Sequence, residues 1–118
     1  MAKARKPKKP DHLKRVLAAL EADDTAPVRG ILAELHPADI AHILEGLPPE
    51  PRATVWAQVD NQYMGEVLLE LPEAVRGDLV KLMDDKALVA AAHALDTDDI
   101  ADLIPDLSDE VIAEILFA

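Results

Sequence analysis

Five aspartates stand within the thirteen residues of the stretch LDTDDIADLIPDL, residues 95–107. If this stretch is helical, Asp98 and Asp102 lie four residues apart and therefore on one face, roughly opposite its apolar side. No Lys or Arg follows Lys86, so this part of the chain carries no cation that could neutralise the pair. Carboxylate oxygens suit a hard divalent cation, and Mg²⁺ typically binds one or two carboxylates while it keeps several waters. The alternative is a solvated acidic face that only aids solubility.

Helix capping explains three of these five aspartates. Asp96 is a good N-cap, and Asp98 and Asp99 fall in the first turn, where the helix dipole favours carboxylates by about 0.3–1 kcal/mol. Asp102 has no such explanation, because it lies mid-helix and its pairing with Asp98 is repulsive by about 0.2–0.5 kcal/mol. Asp106 follows a helix-breaking proline, and nothing in the sequence explains it.

Side chains that could support catalysis are sparse. Ser108 is the only serine and stands at a predicted helix cap, so no trio of nucleophile, base and orienting group is suggested. The chain has no cysteine, no histidine pair spaced i, i+4, no HExxH motif and no glycine-rich phosphate loop. The spacing of a calcium-binding EF-hand is absent too. We therefore predict that the protein is not an enzyme and holds no preformed calcium cage.

The elements that must position the aspartates follow an internal repeat of 12 residues. Apolar residues recur at positions 0, 5, 8 and 9 of each unit, except that Arg52 and Arg76 occupy position 5 in two units. The seven units begin at Leu35, Leu47, Val59, Leu71, Met83, Leu95 and Leu107. This spacing is typical of the apolar stripe of a short helix with one buried connector residue. The residues after each unit start are caps, prolines and acids that favour a helix start.

Helices of eight or nine residues are about 13 Å long and are not stable alone in water. Each stripe should therefore be covered by the helix before and the helix after. Two further helices are predicted ahead of the repeat, capped by Asp11 and Thr25. We predict an all-α fold of about nine short helices, a right-handed superhelix of the HEAT-like solenoid type. Position 7 of each unit should face outward, and Glu66 and Asp102 occupy it.

Charge divides the chain into two parts. Residues 1–10, MAKARKPKKP, predict a disordered basic tail, and residues 11–118 predict one domain. Residues 1–15 carry a charge of +6, whereas residues 16–118 carry −17. The folded part should therefore repel nucleic acid and attract cations or a basic partner. No apolar run approaches the roughly 18 residues of a membrane span.

Three segments together resemble the cytosolic N-terminal domain of the MgtE family of magnesium transporters and channels. They are ELHPADIAHILEGLPPEPRATVWAQVD at residues 34–60, GEVLLELP at residues 65–72, and LDTDDIADLIPDLSDEVIAEIL at residues 95–116. No single motif among them is decisive, but their order and spacing are specific. The resemblance covers about residues 11–118, which is all of the chain except the tail.

The resemblance implies a fold, partners and a mechanism. In that family this domain is a superhelix that precedes a pair of CBS domains, a connecting plug helix and a homodimeric transmembrane pore. The domain lies on the cytoplasmic side of the bacterial inner membrane. Intracellular Mg²⁺ binds between acidic faces of the N-terminal and CBS domains and closes the pore. The family's ligands correspond to Glu66, Asp98 and Asp102 here, and Gly65 stands where alanine is commoner. The chain itself is expected to be soluble, either a fragment or an isolated module, and its magnesium sites would be half-sites.

A second hypothesis involves no metal ion. The middle region of the flagellar switch protein FliG shows a similar pattern of short helices and works by protein contact. The present chain would then be a non-metal helical interaction module. The scarcity of basic residues and the DDIAD helix favour the magnesium sensor.

Overall fold

Nine α-helices and one short 3₁₀ helix make up the part of the chain described by the structure, a computed structural model that covers residues 12–117. The predicted basic tail and the predicted cap Asp11 lie outside these residues. The helices are α1 (His12–Glu21), α2 (Ala26–Ala33), α3 (Pro37–Glu45), α4 (Pro49–Trp56), α5 (Asn61–Glu70), α6 (Glu73–Val80), α7 (Asp85–His93), α8 (Thr97–Leu103), the 3₁₀ helix (Ile104–Asp106) and α9 (Asp109–Phe117). The prediction of an all-α fold of short helices is confirmed.

The 12-residue repeat sets where the helices begin. From α3 onward, seven successive helices start 12 residues apart, at Pro37, Pro49, Asn61, Glu73, Asp85, Thr97 and Asp109. Local chemistry explains these starts. Proline occupies the first turn of α3 and α4, where its missing N–H is not needed. At α5, α7 and α9 a side chain accepts a hydrogen bond from a first-turn N–H, as Asp84 Oδ1 does from Ala87 N at 2.8 Å.

Two residues that were predicted to cap helices make no capping hydrogen bond through their side chains. Asp96 occupies the N-cap position of α8 in extended backbone, but its side chain makes no capping hydrogen bond. Thr25 stands at the N-cap of α2, also without a side-chain bond. The carboxylate of Asp24, one residue earlier, accepts from Ala26 N at 3.1 Å instead. A carboxylate so close to the helix start satisfies one first-turn donor, so the threonine hydroxyl is not needed there.

The helices pack in a row of alternate members. From α3 onward the most extensive contacts join α3 to α5, α5 to α7, and α7 to α9, whereas helices adjacent in sequence touch less. Ahead of this row, α1 packs on its neighbour α2. The row helices have nine or ten residues, and the intervening α4, α6 and α8 have seven or eight. The expectation that the helices before and after cover each stripe therefore needs correction, because connectors of two to four residues carry the chain out of the row and back. The packing unit is a helix pair of 24 residues, and the handedness of a superhelix stays a prediction.

The core follows the positions of the repeat. Position 8 is buried in all seven units, at Ile43, Val55, Val67, Leu79, Ala91, Leu103 and Ile115. Position 9 is buried in the first five units, from Leu44 to Ala92, but Leu116 in the last unit is 60% exposed. Among the described residues no charged side chain is fully buried. The resulting body measures 59 × 32 × 22 Å, the elongated form expected when units stack mainly on their neighbours.

None of the helices between residues 12 and 117 combines the length and the apolar character that crossing a bilayer requires.

Candidate metal-binding face

Asp98 and Asp102 lie one turn apart on α8, the helix that the 12-residue repeat starts at Thr97. Both side chains are exposed. Within the described chain neither carboxylate forms a hydrogen bond or an ion pair with another side chain. The predicted same-face pair is therefore open to solvent and has no counter-cation in this part of the molecule.

Asp102 is placed less favourably than the sequence indicated. The spacing predicted a place in the middle of the helix, but α8 ends at Leu103, so Asp102 lies in the last turn. Pro105 explains this early end, because proline removes a backbone donor and the chain tightens into the 3₁₀ helix. A carboxylate in the last turn faces the negative end of the helix dipole. Asp102 thus carries two unfavourable electrostatic terms, one from the dipole and one from Asp98.

Glu66 stands on α5, a helix that contacts α8. Its side chain is exposed, while Gly65, Val67 and Leu68 beside it are buried. No group of three or more His, Cys, Asp or Glu residues between residues 12 and 117 is arranged to hold a metal ion. The structure therefore places Glu66 and the aspartate pair on helices in contact but does not gather them into a complete metal cage.

The outward position of the repeat is exposed throughout. Position 7 holds His42, Thr54, Glu66, Asp78, Ala90, Asp102 and Glu114, and all seven are exposed. The predicted outward direction of position 7 is thus confirmed. Since α5 belongs to the stacked row and α8 does not, Glu66 and Asp102 stand on helices that differ in their packing.

Asp106, which the sequence left unexplained, has a partner. Its Oδ2 lies 2.7 Å from Nε of Arg76, and both side chains are mostly buried, at 13% and 16% exposed. Arg76 was not predicted as a partner of the acidic stretch. The available signal was its place at position 5 of a repeat unit, where apolar residues otherwise stand. Asp106 is therefore engaged within the fold, unlike Asp98 and Asp102.

Arg52 occupies the equivalent position 24 residues earlier and binds backbone instead. Its Nε donates to Leu44 O at 2.9 Å and its Nη2 donates to Leu47 O at 2.8 Å. These carbonyls lie at the end of α3 and just beyond it, past the last helical N–H groups. Leu44 O also accepts a hydrogen bond from Leu47 N at 3.2 Å. Asp78 is only at the limit of an ion pair with Arg52, at 4.0 Å. Both arginines tie helices together, and neither touches the aspartate pair.

The remaining candidates for chemistry have structural roles. Ser108 Oγ accepts a hydrogen bond from Val111 N at 3.2 Å and so caps α9. His93 Nε2 lies 3.3 Å from Ile115 O, which joins α7 to α9.

Comparison with known proteins adds one finding. The family described as the MgtE intracellular N domain matches residues 35–118. The match begins at the first residue of the 12-residue repeat and includes Glu66, Asp98 and Asp102. A search of curated proteins returned no match to the chain.

Proposed function

The chain belongs to the family of the MgtE intracellular N domain, the N-terminal domain of MgtE-type magnesium transporters, and on this premise we propose that it senses Mg²⁺ and regulates the pore. In the proposal the domain lies on the cytoplasmic side of the membrane. Its partners are a pair of CBS domains, the plug helix and the membrane pore of the same homodimeric protein. The observation that carries the proposal is the exposed and uncompensated aspartate pair on α8.

The donor set fits a hydrated Mg²⁺ ion. Glu66, Asp98 and Asp102 offer only carboxylate oxygens, all of them exposed to water. Mg²⁺ keeps several waters and binds proteins through one or two carboxylates, so it does not need an all-protein cage. A half-site on this domain would therefore hold the ion weakly, and acidic residues of a CBS domain would complete it.

Electrostatics supplies the regulatory step. Residues 16–118 carry a charge of −17, so an approaching acidic domain is repelled when no cation lies between them. Mg²⁺ between the two faces replaces this repulsion with attraction to both. Domain closure then follows the intracellular Mg²⁺ concentration, and closure holds the pore shut. The chain contributes the carboxylates and the contact between α5 and α8, the two helices that carry them.

The first test compares Mg²⁺ with ionic strength alone. We expect MgCl₂ to raise the thermal stability of the chain more than NaCl at matched ionic strength. At ten times the dissociation constant the additional stabilisation is about 1.4 kcal/mol, because only the folded state binds the ion. In an NMR titration the amide shifts should centre on α8.

A pair of double variants shows which carboxylates bind. Asp98→Asn with Asp102→Asn should abolish the Mg²⁺-specific stabilisation. The control is Glu110→Gln with Glu114→Gln, which removes the same charge at the same i, i+4 spacing from exposed positions of α9. This control should keep the wild-type response. If both double variants respond as the wild type does, the aspartates are not ligands and the non-metal interaction module becomes the better hypothesis.

A further inference from the structure

Arg76 and Asp106 form the closer of the two ion pairs among residues 12–117. The Nε–Oδ2 distance is 2.7 Å, and both side chains are mostly shielded from water. The pair joins α6 to the 3₁₀ helix, across 30 residues of sequence. Because a charge-assisted hydrogen bond is directional as well as strong, it fixes the place of the 3₁₀ helix relative to α6.

The 3₁₀ helix is the direct continuation of α8, since Ile104 follows Leu103 without a connector. This matters because α8 is held weakly by apolar contacts. It buries only Leu103, whereas every other α-helix of the described chain buries two residues or more. Its N-cap Asp96 makes no side-chain hydrogen bond either. The Arg76–Asp106 pair at the carboxyl end therefore adds a directional restraint to the apolar contacts that Leu103 and the partly buried Ile100 make.

We propose that Arg76 and Asp106 are positioning residues for magnesium binding, because together they orient the helix face that carries Asp98 and Asp102. This inference rests on the proposed function. Neither residue is assigned as a ligand: Asp106 is occupied by Arg76, and Arg76 is a cation. Their role is to hold the two free carboxylates in the direction in which the partner domain and the hydrated ion approach.

Arg52 provides a control that the repeat itself supplies. It occupies the same position of its unit and is similarly shielded from water, but it binds the carbonyls of Leu44 and Leu47 at the end of α3. Replacing either arginine by glutamine removes one positive charge and one buried tether. Only the Arg76 variant, however, releases the end of α8.

For Arg76→Gln, the loss of a positive charge and the loss of a positioning contact should change the Mg²⁺ affinity in opposite directions. Loss of a positive charge from an acidic domain should strengthen Mg²⁺ binding slightly, whichever arginine is removed. Loss of a positioning contact should weaken it, and outer contacts of metal ligands commonly change affinity by about tenfold or more. The sign of the change therefore separates the two effects without reference to overall stability.

The experiment measures two quantities on the full chain by NMR for the wild type, Arg76→Gln, Asp106→Asn and Arg52→Gln. The first is amide hydrogen exchange in α8 without divalent ions, and the second is the Mg²⁺ midpoint from the α8 amide shifts. We expect Arg76→Gln and Asp106→Asn to accelerate exchange in α8 and to raise the midpoint about tenfold. Arg52→Gln should accelerate exchange in α3 and α4 and leave the midpoint unchanged or slightly lower.

The outcomes separate this proposal from the one on which it rests. If Mg²⁺ does not shift the α8 amide signals of the wild-type chain, the magnesium function itself is contradicted. The amide exchange rates then still show whether the Arg76–Asp106 pair restrains α8. A wild-type response with an unchanged or lower midpoint in Arg76→Gln contradicts only the positioning role. So does an equal rise of the midpoint in Arg52→Gln. If Arg76→Gln does not fold, Asp106→Asn is compared with Glu110→Gln, which also removes one negative charge. A larger rise of the Mg²⁺ midpoint in Asp106→Asn supports the positioning role, and an equal rise in both variants contradicts it.

Discussion

Gly65 of α5 lies directly against the backbone of α7 at Ala91. A Cβ at Gly65 would stand 2.6 Å from the carbonyl oxygen of Ala91 and 3.0 Å from Cγ of Leu95. Side-chain carbons do not approach a backbone oxygen so closely, so the absence of a side chain determines how near the two helices come. Gly65 is buried next to Glu66, so the close approach of α5 and α7 also determines the position of Glu66.

This contact leads to a paired prediction for two glycines. Gly65→Ala should lower the free energy of unfolding by about 1–3 kcal/mol, because the added methyl group forces α5 and α7 apart. Gly77→Ala should raise it by about 0.5–1 kcal/mol, since Gly77 is inside α6 with no heavy atom within 4 Å of the new Cβ. Urea unfolding of both variants measures the difference. A neutral or stabilising effect of Gly65→Ala would mean that α5 and α7 are not packed as closely as described.

A second prediction compares the two partners of Arg52. Arg52→Gln should lower the free energy of unfolding by about 2 kcal/mol, because the shorter side chain cannot reach both Leu44 O and Leu47 O. Asp78→Asn should change it by less than about 1 kcal/mol, because Asp78 is 65% exposed and its oxygen lies 4.0 Å from the guanidinium. Both values come from the same urea titration. Equal losses would show that the ion pair with Asp78, rather than the two carbonyl contacts, holds the arginine in place.

The helix starts could be predicted from the sequence because they depend on local signals. Each 12-residue unit carries its own apolar stripe and its own cap or first-turn proline, so Pro37, Asn61 and Asp109 all begin helices where the pattern indicated. The stacking of alternate helices could not be predicted in this way, since odd and even units carry the same stripe. The arginines at position 5 of two even units, Arg52 and Arg76, were the sequence sign that the units are not equivalent.

In the candidate site, too, helical spacing predicted one part, and the other part depends on how the helices pack. The shared face of Asp98 and Asp102 follows from helical spacing alone, and the structure places both on α8 as expected. The relation of Glu66 to that pair depends on the contact between α5 and α8, which periodicity does not contain. Arg76, the partner of Asp106, is 30 residues away in sequence, and the packing of α6 on the 3₁₀ helix brings the two side chains together.

The last prediction separates the two aspartates of α8 in the absence of divalent cations. Asp98 is in the first turn, where the helix dipole favours a carboxylate, whereas Asp102 is in the last turn, where the dipole opposes it. Asp102→Asn also removes the repulsion from Asp98. In EDTA, Asp102→Asn should therefore raise the free energy of unfolding by about 0.5–1 kcal/mol. Asp98→Asn loses the favourable dipole term as it loses the repulsion, and so it should be neutral or slightly destabilising.

Thermal and urea unfolding in EDTA and in MgCl₂ test this asymmetry. In MgCl₂ the order should change, because the wild type gains the stabilisation of the bound ion and Asp102→Asn does not. An aspartate that destabilises the free protein yet stabilises the magnesium-bound protein is the pattern expected of a ligand retained for binding. If Asp102→Asn instead lowers stability in EDTA, the fold itself requires the carboxylate, and its exposure and lack of a partner must then be explained without the metal.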